Sequence, residues 1–280
     1  MRSSHVSRGG KPVLRNVIIG QYYSADSAIH RLDPRTKISI TFLFILVLFA
    51  VNSFVGFGVL AFFAGLTIML SQVPPRMILR GLRPVLFILS FTLILHLFMT
   101  PGTVWFSLGP LTATREGVIQ GLFIATRLVI LITTTSLLTL TTSPIALTDG
   151  LEYLLKPFSR IGLPSHELAM MMTIALRFIP TLLEEAEKVM KAQMARGADF
   201  ASGNMFQRAR SLVPLLVPLF VGAFRRADDL AMAMEARCYR GGHDRTRMRE
   251  LKAQGLDYVA FSLSILVMSL VIWLRWGPGI

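Results

Sequence analysis

The sequence predicts an all-α membrane protein, with about five transmembrane helices and a cytoplasmic platform of amphipathic helices. Three observations predict it. First, 53% of the 280 residues are hydrophobic and only 16% charged, with mean hydropathy +0.58; a soluble domain carries about a quarter charged residues. Second, uncharged runs of span length recur, the longest covering the 36 residues from Ile38 to Val73. Third, the net charge of +13 is concentrated outside those runs.

The elements follow in order. Residues 1–37 hold no apolar run of signal-peptide length and carry Arg2, Arg8, Lys11, Arg15, Arg31, Arg35 and Lys37. They read as a cytoplasmic tail. Within it His30-Arg-Leu-Asp33-Pro34 has the form of a turn and helix start, because Pro suits the first helical turn and Asp can cap it. The run 38–73 is too long for one span of about 20 residues. Asn52–Ser53 interrupts it and Gly56 and Gly58 follow, so two short spans joined by a tight turn are preferred over one long tilted helix. Pro74 to Pro84 is expected as a short basic loop carrying Arg76, Arg80 and Arg83. Val85–Met99 is a third span, Thr100–Arg115 a polar connection, and Gly117–Leu140 a fourth span interrupted only by Arg127.

Residues 141–256 contain no convincing span. Leu168, Met171, Ala175, Phe178, Leu182, Ala186 and Val189 recur at steps of three and four, opposite Glu184, Glu185, Glu187, Lys188 and Lys191. That pattern predicts an amphipathic helix over 165–194, kinked or broken at Pro180. Ser211–Phe224 is apolar but short and contains Pro214 and Pro218; it is expected as a half-buried or interfacial helix. Arg225–Arg226 are expected to open a separate amphipathic helix ending near Arg237. Tyr258–Leu274 is the last span, with Trp273 and Trp276 at an interface. The organisation is therefore a tail (1–37), a four-span bundle (38–140), a cytoplasmic helical domain (141–256) and a final span with the C-terminus (257–280).

Charge sets the orientation. The tail, the segment 74–84 and the segment 141–256 together hold 26 of the 29 Lys and Arg; Arg115, Arg127 and Arg275 are the remainder. Five spans with the N-terminus inside put all 26 in the cytoplasm, which is the positive-inside pattern. Nucleic acid is not needed to explain the excess, and no nucleic-acid-binding module is recognisable. The single Cys238 excludes an internal disulfide framework and a cysteine metal cluster. His166-Glu167 begins a zinc-protease pattern, but Met170 stands where the second His must be. No glycine-rich phosphate loop with Lys occurs, so no cofactor, metal or catalytic residue is assigned and ATP is not expected to bind this chain.

A repeat carries the functional signal. The segment Ala186 to Gly197 aligns, 41 residues later, with Ala227 to Cys238. Each copy is an amphipathic helix that ends in Ala-Arg-small: Ala195-Arg196-Gly197 and Ala236-Arg237-Cys238. A single Arg at a helix C-terminus complements the dipole and bonds the last carbonyls. Two at equivalent ends point to docking, since Arg offers a rigid fork for carboxylates or carbonyls and small neighbours admit a partner to the backbone.

Together with these tips, Tyr23-Ser-Ala-Asp-Ser-Ala-Ile-His-Arg-Leu-Asp-Pro-Arg-Thr-Lys37, Ala175-Leu-Arg-Phe-Ile-Pro180, and Ala231-Met-Ala-Met-Glu-Ala-Arg237 followed by Tyr239-Arg-Gly241 resemble the T component (EcfT) of energy-coupling factor (ECF) transporters, over about residues 22–242. The resemblance implies a membrane bundle with coupling helices whose Ala-Arg-x tips dock on two ABC ATPase subunits. It also implies a separate substrate-binding membrane S component, a place in the cell's inner membrane, and uptake of a vitamin or a transition-metal ion such as cobalt. ATP hydrolysis would belong to the partners. Cys238 departs from the pattern, in which Gly or Ser is commoner. A permease of a conventional ABC importer is the alternative; it would have its own substrate path and usually one coupling loop. A membrane-anchored scaffold is a third reading.

Other residues have two readings. Arg127 inside an apolar span either lines a functional contact or satisfies a neighbour structurally. His96 reads as a packed, hydrogen-bonded side chain. Met170–Met172, Met190, Met194, Met232 and Met234 fill helix faces, and would also suit a surface that meets several partners.

Overall fold

The computed structural model describes residues 22–108, 111–162, 164–198, 200, 204–241 and 251–276. Most of the tail, including Arg2, Arg8, Lys11 and Arg15, lies outside the described residues. The described chain is helical apart from one hairpin and forms two compact units.

Of the described residues, the larger unit contains 22–162 and 251–276. Its helices are α1 (Ala28–Arg31), α2 (Pro34–Ala50), α3 (Phe54–Ser71), α4 (Pro75–Met99), α5 (Arg115–Thr141), α6 (Pro144–Leu155) and α10 (Gly255–Trp276). The helix starts are encoded locally. The Asp33 side chain caps α2 by accepting from the Arg35 amide, with Pro34 as the first helical residue. Ser53 caps α3 through the Gly56 amide, Thr114 caps α5 through Gly117, and Ser143 caps α6 through Ala146. Residues 38–73 form two helices that meet at Val51–Ser53, at the Asn52–Ser53 break.

The core of this unit is drawn from four helices: Phe44 and Leu48 of α2 with its C-cap Val51, Phe57, Leu60 and Ala64 of α3, Ile130 of α5, and Met268 and Val271 of α10. Large apolar side chains also cover the outside, among them Phe62, Met69 and Phe87, each about three-quarters exposed. An apolar exterior around an apolar core is what a bilayer solvent permits. The close approach of α4 and α5 needs glycine: a Cβ on Gly117 would strike the His96 carbonyl oxygen, and one on Gly121, a helical turn further, would rest 3.4 Å from the His96 Cβ. Small residues four apart allow helix backbones this proximity.

Several boundaries differ from expectation. The basic segment 74–84 is not a loop: α4 begins at Pro75, and Arg76, Arg80 and Arg83 ride exposed on its first turns. Proline at N1 starts a helix well, and Pro84, early in α4, does not end it. The polar connection 100–115 contains an antiparallel pair, β1 (Val104–Leu108) and β2 (Leu111–Thr114), in register Val104 to Thr114 and Leu108 to Leu111. Residues 144–161, assigned from the sequence to the cytoplasmic domain, belong to this bundle unit as α6 and a 3₁₀ turn (Lys156–Ile161), and α6 packs on α2.

The second unit, from Pro164, contains α7 (Ser165–Ala195), α8 (Met205–Ser211) and α9 (Val213–Ala236). α7 runs through Pro180 without interruption. Val213–Ala236 is one helix, not an interfacial helix followed by a second one opened by Arg225–Arg226. Both arginines are good helix formers, and Pro214 falls in the first turn, where its missing N–H has no cost. Among the described residues, five helices are long and apolar enough to cross a membrane: α3, α4, α5, α7 and α10. The sequence reading counts five as well but includes the 17-residue α2 and leaves out α7, which carries Glu184, Glu185, Glu187, Lys188 and Lys191 in its C-terminal half.

Candidate functional site

The two tips are built alike. α7 ends at Ala195, Arg196 is the C-cap, and Gly197 takes the left-handed conformation with φ 87°. The Gly197 amide donates to Met194 O at 3.0 Å and the Ala198 amide to Gln193 O at 3.0 Å. α9 ends at Ala236, Arg237 is the C-cap, and Cys238 is left-handed with φ 56°. The Cys238 amide donates to Glu235 O at 2.8 Å and the Tyr239 amide to Met234 O at 3.0 Å. Each is a Schellman motif, with the 5→2 and 6→1 bonds at matching positions. The third position of Ala-Arg-x therefore has a conformational requirement as well as a steric one. A Cβ on Gly197 would meet nothing, so it is the φ angle that favours glycine there.

All six tip residues, Ala195, Arg196, Gly197, Ala236, Arg237 and Cys238, are exposed. With Cys238 left-handed, the turn shows that Cys is accommodated where Gly is the conformationally easier choice. The Schellman bonds satisfy the Gln193, Met194, Met234 and Glu235 carbonyls from the backbone, and among the described residues neither arginine side chain bonds a carbonyl of its own helix end. Neither guanidinium is held by a carboxylate among the described residues. Each tip presents a guanidinium fork beside alanine at a helix end.

Arg127 belongs to a different arrangement. Its Nη2 donates to Val51 O and to Asn52 Oδ1, both at 2.9 Å, and its guanidinium lies 5.7 and 5.6 Å from the Phe49 and Phe57 ring centres. Arg275 of α10 donates to Ala50 O. Two arginines from neighbouring helices thus bond the final carbonyls of α2, where the helix dipole is negative. His96, where α4 meets the start of α5, approaches Thr100 Oγ1 at 3.4 Å.

The first helices hold a polar cluster that the sequence reading does not assemble. Lys37, 7% exposed, donates from Nζ to Thr141 O at 2.9 Å and to His30 O at 3.2 Å. Asp257 of α10 accepts at Oδ1 from the Asp33 amide and at Oδ2 from the Gln254 amide, each at 2.7 Å. Arg35 stacks 3.6 Å over the Tyr153 ring and donates to Leu251 O. The His30 ring donates from Nε2 to Tyr23 O, and its neutral form accepts the Ser27 hydroxyl at Nδ1; burial holds its pKa below the usual histidine value. The signal available in the sequence was position alone: Lys37 is the last charge before the long apolar run, and Asp257 the only acid beside the last span. Which ends meet is a long-range fact.

Comparison with known proteins agrees with this anatomy. A family model described as a cobalt transport protein (CbiQ) matches residues 25–248. The chain is 60% identical over 265 residues to an energy-coupling factor transporter transmembrane protein EcfT of Thermosediminibacter oceani, covering 93% of this chain and all of that one. It is 55% identical to an EcfT of Clostridium kluyveri, over 95% of this chain and all of the relative. With the EcfT of Bacillus subtilis the identity is 48%, over 94% of this chain and again the whole relative. The paired Ala-Arg-x helix ends, the apolar bundle and these full-length matches together show that the chain belongs to the EcfT family of energy-coupling factor transporter transmembrane proteins.

Proposed function

We propose that this chain is the energy-coupling subunit of an ECF transporter in the plasma membrane, with its N-terminus in the cytoplasm. It links ATP hydrolysis by two ATPase subunits to uptake of a vitamin or metal ion through a separate substrate-binding membrane subunit. α7 and α9 act as a cytoplasmic platform, and Arg196 and Arg237 each engage an acidic or carbonyl-lined groove on one ATPase. ATP binding closes the ATPase pair, the tips move with it, and the platform passes the motion to the substrate-binding subunit. The observation that carries this reading is the identical construction of the two exposed tips, whose arginine side chains bond no carbonyl of their own helix ends among the described residues. A conventional permease with one coupling loop has no use for two.

Truncating one partner of a docked, charged hydrogen bond costs about 2–5 kcal/mol, whereas an exposed pair is worth under about 1 kcal/mol. Two tips on one platform hold the ATPases bivalently, so effective concentration masks part of a single loss. Arg196→Ala or Arg237→Ala alone is therefore expected to impair uptake more than assembly, and the double change to release the ATPases and abolish uptake. Pull-down of the ATPases together with uptake decides it. A double variant that retains both ATPases and transports normally would sink the docking role.

A further inference from the structure

The 41-residue repeat extends in one respect beyond its aligned core: the positions just before it carry opposite charges. Glu184 and Glu185 of the first copy correspond to Arg225 and Arg226 of the second. In the structure Glu185 and Arg226 form an ion pair at 2.5 Å, with side chains 28% and 32% exposed. Residues equivalent under the repeat thus touch each other. Contact between equivalent positions marks the point where two repeated helices are related by a local two-fold. The helices run antiparallel there, since Gln193, eight residues after Glu185, donates from Nε2 to Pro214 O, twelve residues before Arg226. Gly222 makes room for the pair: a Cβ on it would stand 3.0 Å from Glu185 Oε1.

Equal arms follow from this. Arg196 lies eleven residues beyond Glu185, and Arg237 eleven beyond Arg226. Both intervals are helical, so each tip is about 16 Å from the pair along its own helix. Because the helices are antiparallel, the tips lie on opposite sides of it.

We propose that Glu185 and Arg226 are positioning residues that form the fulcrum of an equal-armed lever, fixing the α7–α9 crossing midway between the two tips. The ion pair holds the crossing in one register, and Gly222 admits the carboxylate. A closing motion at the tips then turns the two helices about one point and displaces both by the same amount. Slippage of the crossing would leave one arm longer than the other, and the same closure would deliver unequal strokes. The lever rests on the reading that the tips engage ATPases; the placement of the crossing does not.

The experiment uses the full transporter, in nanodiscs for distances and in proteoliposomes for uptake. Spin labels are placed on Ala192→Cys and Ala233→Cys, exposed equivalent positions one turn before each tip, with native Cys238 replaced by Ser, and their separation is read by pulsed EPR. Glu185→Arg and Arg226→Glu, each alone, are expected to shift or broaden the distance distribution and to lower uptake per ATP hydrolysed by roughly fivefold, the scale of a half-exposed ion pair. Both ATPases should stay bound in pull-down. The double exchange, Glu185→Arg with Arg226→Glu, should restore distance and uptake together. Gly222→Val, which crowds the pair without altering charge, should reproduce the single defects. Where a reversal fails to express, Glu185→Gln takes its place with the same readouts. Unchanged distances in the single variants overturn the fulcrum, as do altered distances with normal uptake per ATP. Loss of the docking reading shows differently: the Arg196 and Arg237 variants would keep their ATPases while the EPR result on the crossing stood.

Discussion

At the scale of single residues, the tips separate what an arginine does for its own helix from what it offers outside. Gly197 and Cys238 hold the left-handed turn, and backbone amides close the last carbonyls. Arg127 and Arg275 show the contrasting case, since both bond the terminal carbonyls of α2. From sequence, Arg127 has both a structural and a functional reading, whereas the pairing of the tip arginines points to docking. Cys238 is the tip residue under conformational load, because a side chain in the left-handed region costs about 1–2 kcal/mol. Cys238→Gly is expected to steady the second tip and slow hydrogen exchange of the Tyr239 amide roughly fivefold, about 1 kcal/mol of local opening. Cys238→Val, β-branched and worse suited to positive φ, should speed that exchange and weaken ATPase retention. Equal exchange rates in all three proteins would mean the Schellman turn does not govern this end.

At the scale of elements, local signals were legible and long-range ones were not. The α2–α3 break could be read at Asn52–Ser53, and the start of α2 at Asp33–Pro34, because capping chemistry is written in adjacent residues. The sequence places the start of the α4 span ten residues late, at Val85, because its charges suggest a loop; Arg76, Arg80 and Arg83 are instead exposed on helical turns. The sequence divides α9 in two because its apolar half, with Pro214 and Pro218, differs in composition from its charged half, yet the backbone stays helical through both. The α4–α5 contact depends on a coincidence no single segment displays: Gly117 meets the His96 carbonyl. Backbone cannot retreat as a side chain can, so Gly117→Val should cost about 1–3 kcal/mol, the range for overpacking. Gly121→Ala, whose added carbon meets only ordinary contact distance, should be nearly neutral. Thermal unfolding in detergent compares the two, and equal melting temperatures would show that the helices separate freely at this end.

At the scale of the whole molecule, the distribution of charge makes a single claim that all the spans must satisfy. Lys and Arg are dense in residues 1–37, 74–84 and 141–256 and nearly missing elsewhere. What the sequence could not show is which buried groups tie those segments to the bundle. Lys37 donates to Thr141 O and Asp257 accepts from the Asp33 amide, so the starts of α2 and α10 and the end of α5 meet. Those three ends must lie on one side of the membrane. α2 and α10 then start on the side where α5 finishes, and the β1–β2 hairpin, joining the other ends of α4 and α5, lies on the opposite side. Only the positive-inside rule says which side is cytoplasmic, and it counts the tail and the short basic segments most heavily. The expected result is that Lys252→Cys, exposed just before α10, resists an impermeant thiol reagent in intact cells and reacts after permeabilisation. Pro101→Cys, exposed just beyond α4, should react in intact cells. Native Cys238 is replaced by Ser in both, so that one thiol reports. Reaction of Lys252→Cys and protection of Pro101→Cys in intact cells would invert the whole molecule. Reaction of both would break the pairing of helix ends instead, because no set of spans that keeps the ends of α2, α5 and α10 together exposes the two sites to one side.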